Sequence, residues 1–202
     1  MTADPDQVTF GLDLPNDWFE LDVRPRTRDL TIGLLVENRL REQPELWPHR
    51  SELTKVLRRQ ARDAWEAGAR YCACFIIALE NSIIPGAITV SVIPAPPGGA
   101  NADALAESLA AKEARDDDDT WSRRSIVTLP KAGRAARREG VLDIPLPDGR
   151  TAVRSIIQQT FVPLADGRIL LVGGASPALD LTEPLLELFD AVTSTLTIGE
   201  AS

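Results

Sequence analysis

Two pentapeptides in the final third of the chain limit the fold more than any other feature. Leu146-Pro147-Asp148-Gly149-Arg150 and Leu164-Ala165-Asp166-Gly167-Arg168 each set Asp-Gly between apolar runs. Asp-Gly supplies the positive φ that tight hairpin turns demand. Candidate strands flank them: Ser125 to Leu129, Arg137 to Ile144, Ala152 to Pro163 and Arg168 to Val172. Hairpin-joined strands run antiparallel, so this third predicts a meander.

The rest of the chain supplies helices and further strands. Val8, Phe10, Leu12 and Leu14 alternate with Thr9, Gly11 and Asp13, the pattern of a half-buried strand. Pro15-Asn16-Asp17 ends it, and Trp18 to Val23 reads as a second short strand. Arg28 to Gln43 predicts a helix broken by Pro44 to Pro48. Ser51 to Gly68 is the clearest helix: Leu53, Val56, Leu57, Ala61, Ala64 and Trp65 fall on one stripe. Opposite that stripe stand Lys55, Arg58, Arg59 and Arg62, which read as a solvated face. Tyr71 to Ile84 and Ile88 to Ile93 read as two antiparallel strands turning at Pro85-Gly86. Asn101 to Arg115 is an Ala-rich helix with Asn101 as its N-cap. Asp180 to Leu196 closes the chain as a helix, with Asp180 and Glu183 spaced as a capping box.

Hairpins dominate, and no regular βαβ alternation occurs. The expectation is a single α+β domain over 1–202, an antiparallel sheet flanked by helices. The acidic stretch near 114–121, with four consecutive aspartates at 116–119, is expected to be flexible.

Composition narrows the function classes. Thirty acidic residues against 22 basic ones give a net charge of −8, which argues against non-specific nucleic-acid binding. The apolar run Cys72 to Leu79 is eight residues, whereas a membrane span needs about 20. The acidic N-terminus lacks the apolar segment of a secretory signal, so the expected location is cytoplasmic. One His and two Cys are too few soft ligands for a zinc cage, and no metal or cofactor is expected. Cys72 and Cys74, two apart on one strand, have Cα atoms about 6.5–7 Å apart. That separation is at the limit for a disulfide, so they read as reduced core residues.

Catalytic motifs are not found. There is no Gly-x-Ser-x-Gly elbow, Walker loop or dinucleotide fingerprint. Val172-Gly173-Gly174-Ala175-Ser176 lacks the Lys of a phosphate loop, and its glycines read as the end of a strand. His49 has no identifiable catalytic partner and reads as a surface or capping residue.

Charge segregation stands out instead. Arg123, Arg124, Lys131, Arg134, Arg137 and Arg138 cluster without an intervening acid, just after Glu113 and Asp116 to Asp119. The two runs can neutralise each other, or the basic one can dock an acidic partner. No aromatic interleaves with the basic residues, so a stacking platform for single-stranded nucleic acid is missing. Trp47 and Trp121 are candidate anchors, since Trp is enriched at binding hot spots, and either can equally be core.

Phe10-x-Leu12-x-Leu14-Pro15-x-x-Trp18 resembles the opening strand and Trp-bearing turn of proteins with the PsbP-like fold. Phe161 to Leu171, followed by Leu181 to Leu196, is similar to that fold's last hairpin and closing helix. The Arg- and Ala-rich middle resembles uncharacterised actinobacterial proteins. The resemblance implies a non-enzymatic α/β/α sandwich. Its members include photosystem accessory subunits, a nuclear-transport factor, bacterial lipoproteins and secretion-effector chaperones. It implies no catalytic residues.

These readings lead to an accessory or chaperone-like protein that binds another protein. Its expected partner surface is Arg123, Arg124, Lys131, Arg134, Arg137, Arg138, Trp47 and Trp121. A small-molecule-binding protein or cryptic enzyme with a cleft between sheet and helices is the alternative. A structural subunit of a larger assembly is the third. The sequence leaves the oligomeric state open.

Overall fold

A computed structural model describes residues 8–78, 83–97, 99–110, 120–145 and 152–199. The helices are α1 (Arg28–Glu42), α2 (Arg50–Glu66), α3 (Ala102–Ala110) and α4 (Thr182–Ser194). Strands are β1 (Thr9–Gly11), β2 (Phe19–Glu20), β3 (Ala69–Ala78), β4 (Ile83–Pro94), β5 (Trp121–Leu129), β6 (Gly133–Pro145), β7 (Ala152–Pro163), β8 (Arg168–Ser176) and β9 (Thr197–Gly199). Short 3₁₀ helices at Pro44–His49 and Leu179–Leu181 lead into α2 and α4.

Seven strands form one antiparallel sheet in the order β2-β3-β4-β8-β7-β6-β5. The expected meander β5 to β8 is present, and the β4–β8 ladder, Ala87–Ala175 to Pro94–Arg168, joins it to β3–β4. At the Asp166-Gly167 turn, Gly167 takes φ +83° and Arg168 N–H donates to Asp166 Oδ1. The other Asp-Gly turn and the four-aspartate run lie outside the described residues. The chain forms an α+β domain with helices on both faces of the sheet.

Strand alternation assigns the two faces. On one, Ala73, Phe75, Ile88, Val90, Ile156, Leu170 and Val172 pack under Leu185, Phe189 and Val192 of α4. Val8, Phe10, Leu12 and Leu14 pack against the same core, and β1 pairs β9 beside it. On the opposite face, Cys72, Cys74 and Ala87 meet Ile32, Val36 and Leu40 of α1 and Leu53, Leu57 and Ala61 of α2. Further along that face, Leu105 of α3 packs on Ala136 and Ile169. Cys72 and Cys74 are buried free thiols with Sγ atoms 3.7 Å apart. Asn101 caps α3, its Oδ1 accepting from Ala104 N–H at 2.8 Å.

Local expectations fail where packing overrides turn chemistry. Pro85-Gly86 is not the β3–β4 turn but lies within β4, paired with Ile76 and Phe75. Pro85 lies beyond the last β4–β8 pair, so only one neighbouring ladder constrains it. The Phe75 ring covers Gly86, where a Cβ would come within 2.1 Å of its tip. Gly173 and Gly174 likewise lie inside β8 rather than ending it. Gly174 is bare because the Phe189 ring rests on it; a Cβ there would lie 2.6 Å from Phe189 Cγ. The second strand contracts to Phe19–Glu20, with Leu21 N–H still donating to Cys72 C=O. The Asp180–Glu183 capping box does not form. Asp180 is wound into the 3₁₀ turn Leu179–Leu181, and α4 starts at Thr182.

Candidate docking surface

The basic segment 123–138 becomes the β5–β6 hairpin, and its pleat divides the cations between two faces. Arg124 stands opposite Arg138, while Arg123 stands opposite Glu139. On the α4 face, Arg123 Nε donates to Glu139 Oε1 at 2.6 Å. That hydrogen bond raises the Arg123 pKa further above its ordinary value. Gln158 Nε2 links Glu139 to the Leu186 carbonyl of α4. Arg137, 5% exposed, donates to Thr160 Oγ1 and to Asp190 of α4. Its guanidinium is thereby committed to holding α4 against the sheet, and its Nη2 has no partner among the described residues.

On the other face, Arg134 makes a forked pair with Asp103 of α3, at 3.1 and 3.3 Å. Arg138 is half-buried, with Nε unpartnered among the described residues. Lys131 is exposed in the turn between the two strands. Trp121 is half-buried against the α4-side core, beneath the Arg123 guanidinium at 5.7 Å. The hairpin therefore gathers these residues along the chain but divides them in space.

Trp47 lies elsewhere and is 53% exposed. The α1–α2 connection holds it there. Pro44 starts a 3₁₀ turn, Leu46 plugs the core beneath α2, and Trp47 faces outward. Trp47, Pro48, Arg50, Thr54, Lys55, Arg58, Arg59 and Arg62 line one open groove of about 840 Å³. It is wide and shallow, in contrast to the enclosed, mostly apolar pockets that bury a small ligand.

The electrostatics of this groove are one-sided. Arg50 is paired with Glu37 and Arg58 with Asp29, and these two contacts tie α2 to α1. Among the described residues, no carboxylate lies within ion-pair distance of Lys55, Arg59 or Arg62. Asp63 is the nearest acid in sequence to that stripe. Partial burial raises its pKa, Arg59 and Arg62 oppose the shift, and Glu66 adds to it. Between the two α1–α2 ties stand Leu30 and Leu34, 71% and 60% exposed. Of these exposed apolar side chains, Trp47 shares the groove lining with the α2 cations.

In the sequence, the cations of α2 are indistinguishable from an ordinary solvated helix face. The available signal is the pairing of that row with an outward Trp one short turn upstream. It becomes visible only once Leu46, and not Trp47, is seen to fill the core.

No family model matches the chain, and no curated protein matches it. Among solved structures it is similar to LpqN of Mycobacterium tuberculosis, described as involved in cell envelope biogenesis. That likeness covers 98% of this chain and 87% of LpqN, with a TM-score of 0.51 and 13% sequence identity. At that identity it shows a shared fold alone.

Proposed function

We propose that this chain is a non-enzymatic, protein-binding accessory module, in which the α2 groove receives an acidic segment of a partner protein. The observation that carries the reading is the groove's composition. Lys55, Arg59 and Arg62 make no close ion pair among the described residues and share one open surface with exposed Trp47. Cations of this kind steer an acidic partner and set its register, and an exposed Trp supplies an apolar anchor. The hairpin cations are less suited, because Glu139, Asp103 and Asp190 already hold Arg123, Arg134 and Arg137.

In this reading the scaffold is PsbP-like, with Trp18 behind β1, the β7–β8 hairpin and the closing α4 as its marks. The free thiols of Cys72 and Cys74 suit a reducing, cytoplasmic compartment. LpqN's role in cell envelope biogenesis motivates a second location, at the envelope. Fractionation of native cells separates the two.

The test is quantitative capture from native cells, comparing wild type with Lys55→Glu/Arg59→Glu/Arg62→Glu. A stoichiometric protein is expected, cross-linking to α2 through an acidic segment, released by salt and absent with the triple variant. Equal recovery by the triple variant and by wild type refutes the assignment of this surface.

A further inference from the structure

The α2 cations have a geometry that specifies the shape of what binds them. Lys55, Arg58, Arg59 and Arg62 fall at i, i+3, i+4 and i+7, so they form one continuous row along the helix. From Lys55 to Arg62 the row rises about 10.5 Å, at 1.5 Å per residue. A partner helix lying alongside α2 repeats its own side chains with the same rise. Carboxylates along one stripe of such a helix meet Lys55, Arg59 and Arg62 from end to end, with Arg58 held beside them by Asp29. An extended segment presents side chains on one face about every 6.8 Å and drifts out of step within two contacts.

Trp47 sets the direction and the need for an anchor. It stands at the N-terminal end of α2, with Pro48 beside it in the groove wall. The distance from Arg50 to Arg62 along α2 is about 18 Å, room for three helical turns. A flat anionic bilayer fits less well. A chain of net charge −8 is repelled from anionic lipid beyond the local patch.

We infer that the segment received by this groove is an amphipathic acidic helix of about three turns. Its carboxylates lie along one stripe, and an apolar residue at one end packs on Trp47. The inference rests on the docking reading above and deepens it by naming the partner's local structure.

The experiment uses the full chain and two labelled peptides of about 14 residues, long enough for helix formation to be assisted by docking. Both have one composition, four Glu and one terminal Leu. One carries Glu at i, i+3, i+4 and i+7, and the other at alternate positions. Fluorescence anisotropy is read at low and moderate salt, with anionic and neutral vesicles run in parallel. The helical spacing is expected to bind at least about tenfold tighter than the alternate one. That preference is expected to vanish in Lys55→Glu/Arg59→Glu/Arg62→Glu. In Trp47→Ala, binding is expected to weaken while the salt dependence is kept.

Equal binding of the two peptides overturns the helical inference and leaves the acidic-partner reading in place. So does capture of a native partner through α2 when neither peptide binds. Vesicle binding that needs Lys55, Arg59 and Arg62, with no peptide binding, overturns both. Circular dichroism and thermal melts of each variant verify that the fold persists, and a conservative Lys55→Gln/Arg59→Gln/Arg62→Gln chain separates lost charge from lost folding.

Discussion

Gly174→Ala tests whether α4 sits on the sheet through a ring laid on a bare strand. The added Cβ would lie 2.6 Å from Phe189 Cγ and 2.8 Å from both Cδ atoms. Ordinary contact begins near 3.4 Å, so the ring must retreat by about 0.8 Å (3.4 minus 2.6). Phe189 is fully buried and its ring root cannot swing aside, so the shift passes to α4 itself. Overpacking of a tight core costs about 1–3 kcal/mol. Removing a strand glycine returns about 0.5–1 kcal/mol. The mid-range values, about 2 less about 0.75, leave a net loss of about 1 kcal/mol. For a domain of this size, that lowers Tm by about 2–4 °C. Urea unfolding monitored by tryptophan fluorescence and circular dichroism measures it, with the slope unchanged. Phe189→Leu removes the ring face that collides. The double variant should recover at least about 0.5 kcal/mol relative to the sum of the singles. Additive losses, or a Gly174→Ala protein as stable as wild type, would refute the contact as the reason for the glycine.

Three further outcomes follow from features of the fold. Asn101→Ala removes the α3 cap and should cost about 1 kcal/mol, measured by urea titration, whereas Asn101→Asp should keep most of the stability. The Asp143 and Asp166 carboxyls, hydrogen-bonded by Arg154 and Arg168, sit below the ordinary carboxylate range. Their stabilisation is therefore present above the unfolded pKa of about 3.9 and is lost as pH falls through the lower folded values. Carboxyl carbon NMR should show the Asp143 midpoint rising to its ordinary value in Arg154→Ala and the Asp166 midpoint rising only part of the way in Arg168→Ala, whose backbone N–H still donates to Asp166, and unchanged midpoints would dismiss the side-chain bonds as the cause. Burial pushes the Cys74 thiol well above its ordinary pKa, and the partner Cys72 lies beside it under α1 and α2. Neither thiol should react with an aromatic disulfide reagent until urea unfolds the chain; prompt reaction of the native protein would show that the helix layer opens.

The elements whose burial follows a period were legible in the sequence. The stripes of α2 and α4, the alternation before Pro15, and the Asp166-Gly167 turn came through because one local rule governs each. What misled were residues whose local reading is a breaker and whose actual role is space. Pro85-Gly86 and Gly173-Gly174 read as ends, yet they lie within strands, where Gly86 and Gly174 leave bare backbone under the Phe75 and Phe189 rings. The members of each pair stand 11 and 15 residues apart, beyond the reach of a local turn rule. The same limit applies to the site. Six cations between 123 and 138 look like one patch in the chain, but strand pleat sends Arg123 and Arg137 to one face and Arg134 to the other. The α2 row looked ordinary because its distinguishing feature, the exposed Trp47, depends on which of two adjacent side chains fills the core.

The pairing of β1 with β9 also bears on how the molecule yields to force. Thr9 faces Gly199, Phe10 faces Ile198 and Gly11 faces Thr197. A load applied through residues 9 and 199 falls on the outermost pair first, then on the next. Such a ribbon peels one rung at a time and offers little resistance. The next tie inward is the bond from Asp13 N–H to Thr195 Oγ1. Tension along the chain therefore strips a small outer clasp while the seven-stranded sheet and the α1–α2 face remain assembled.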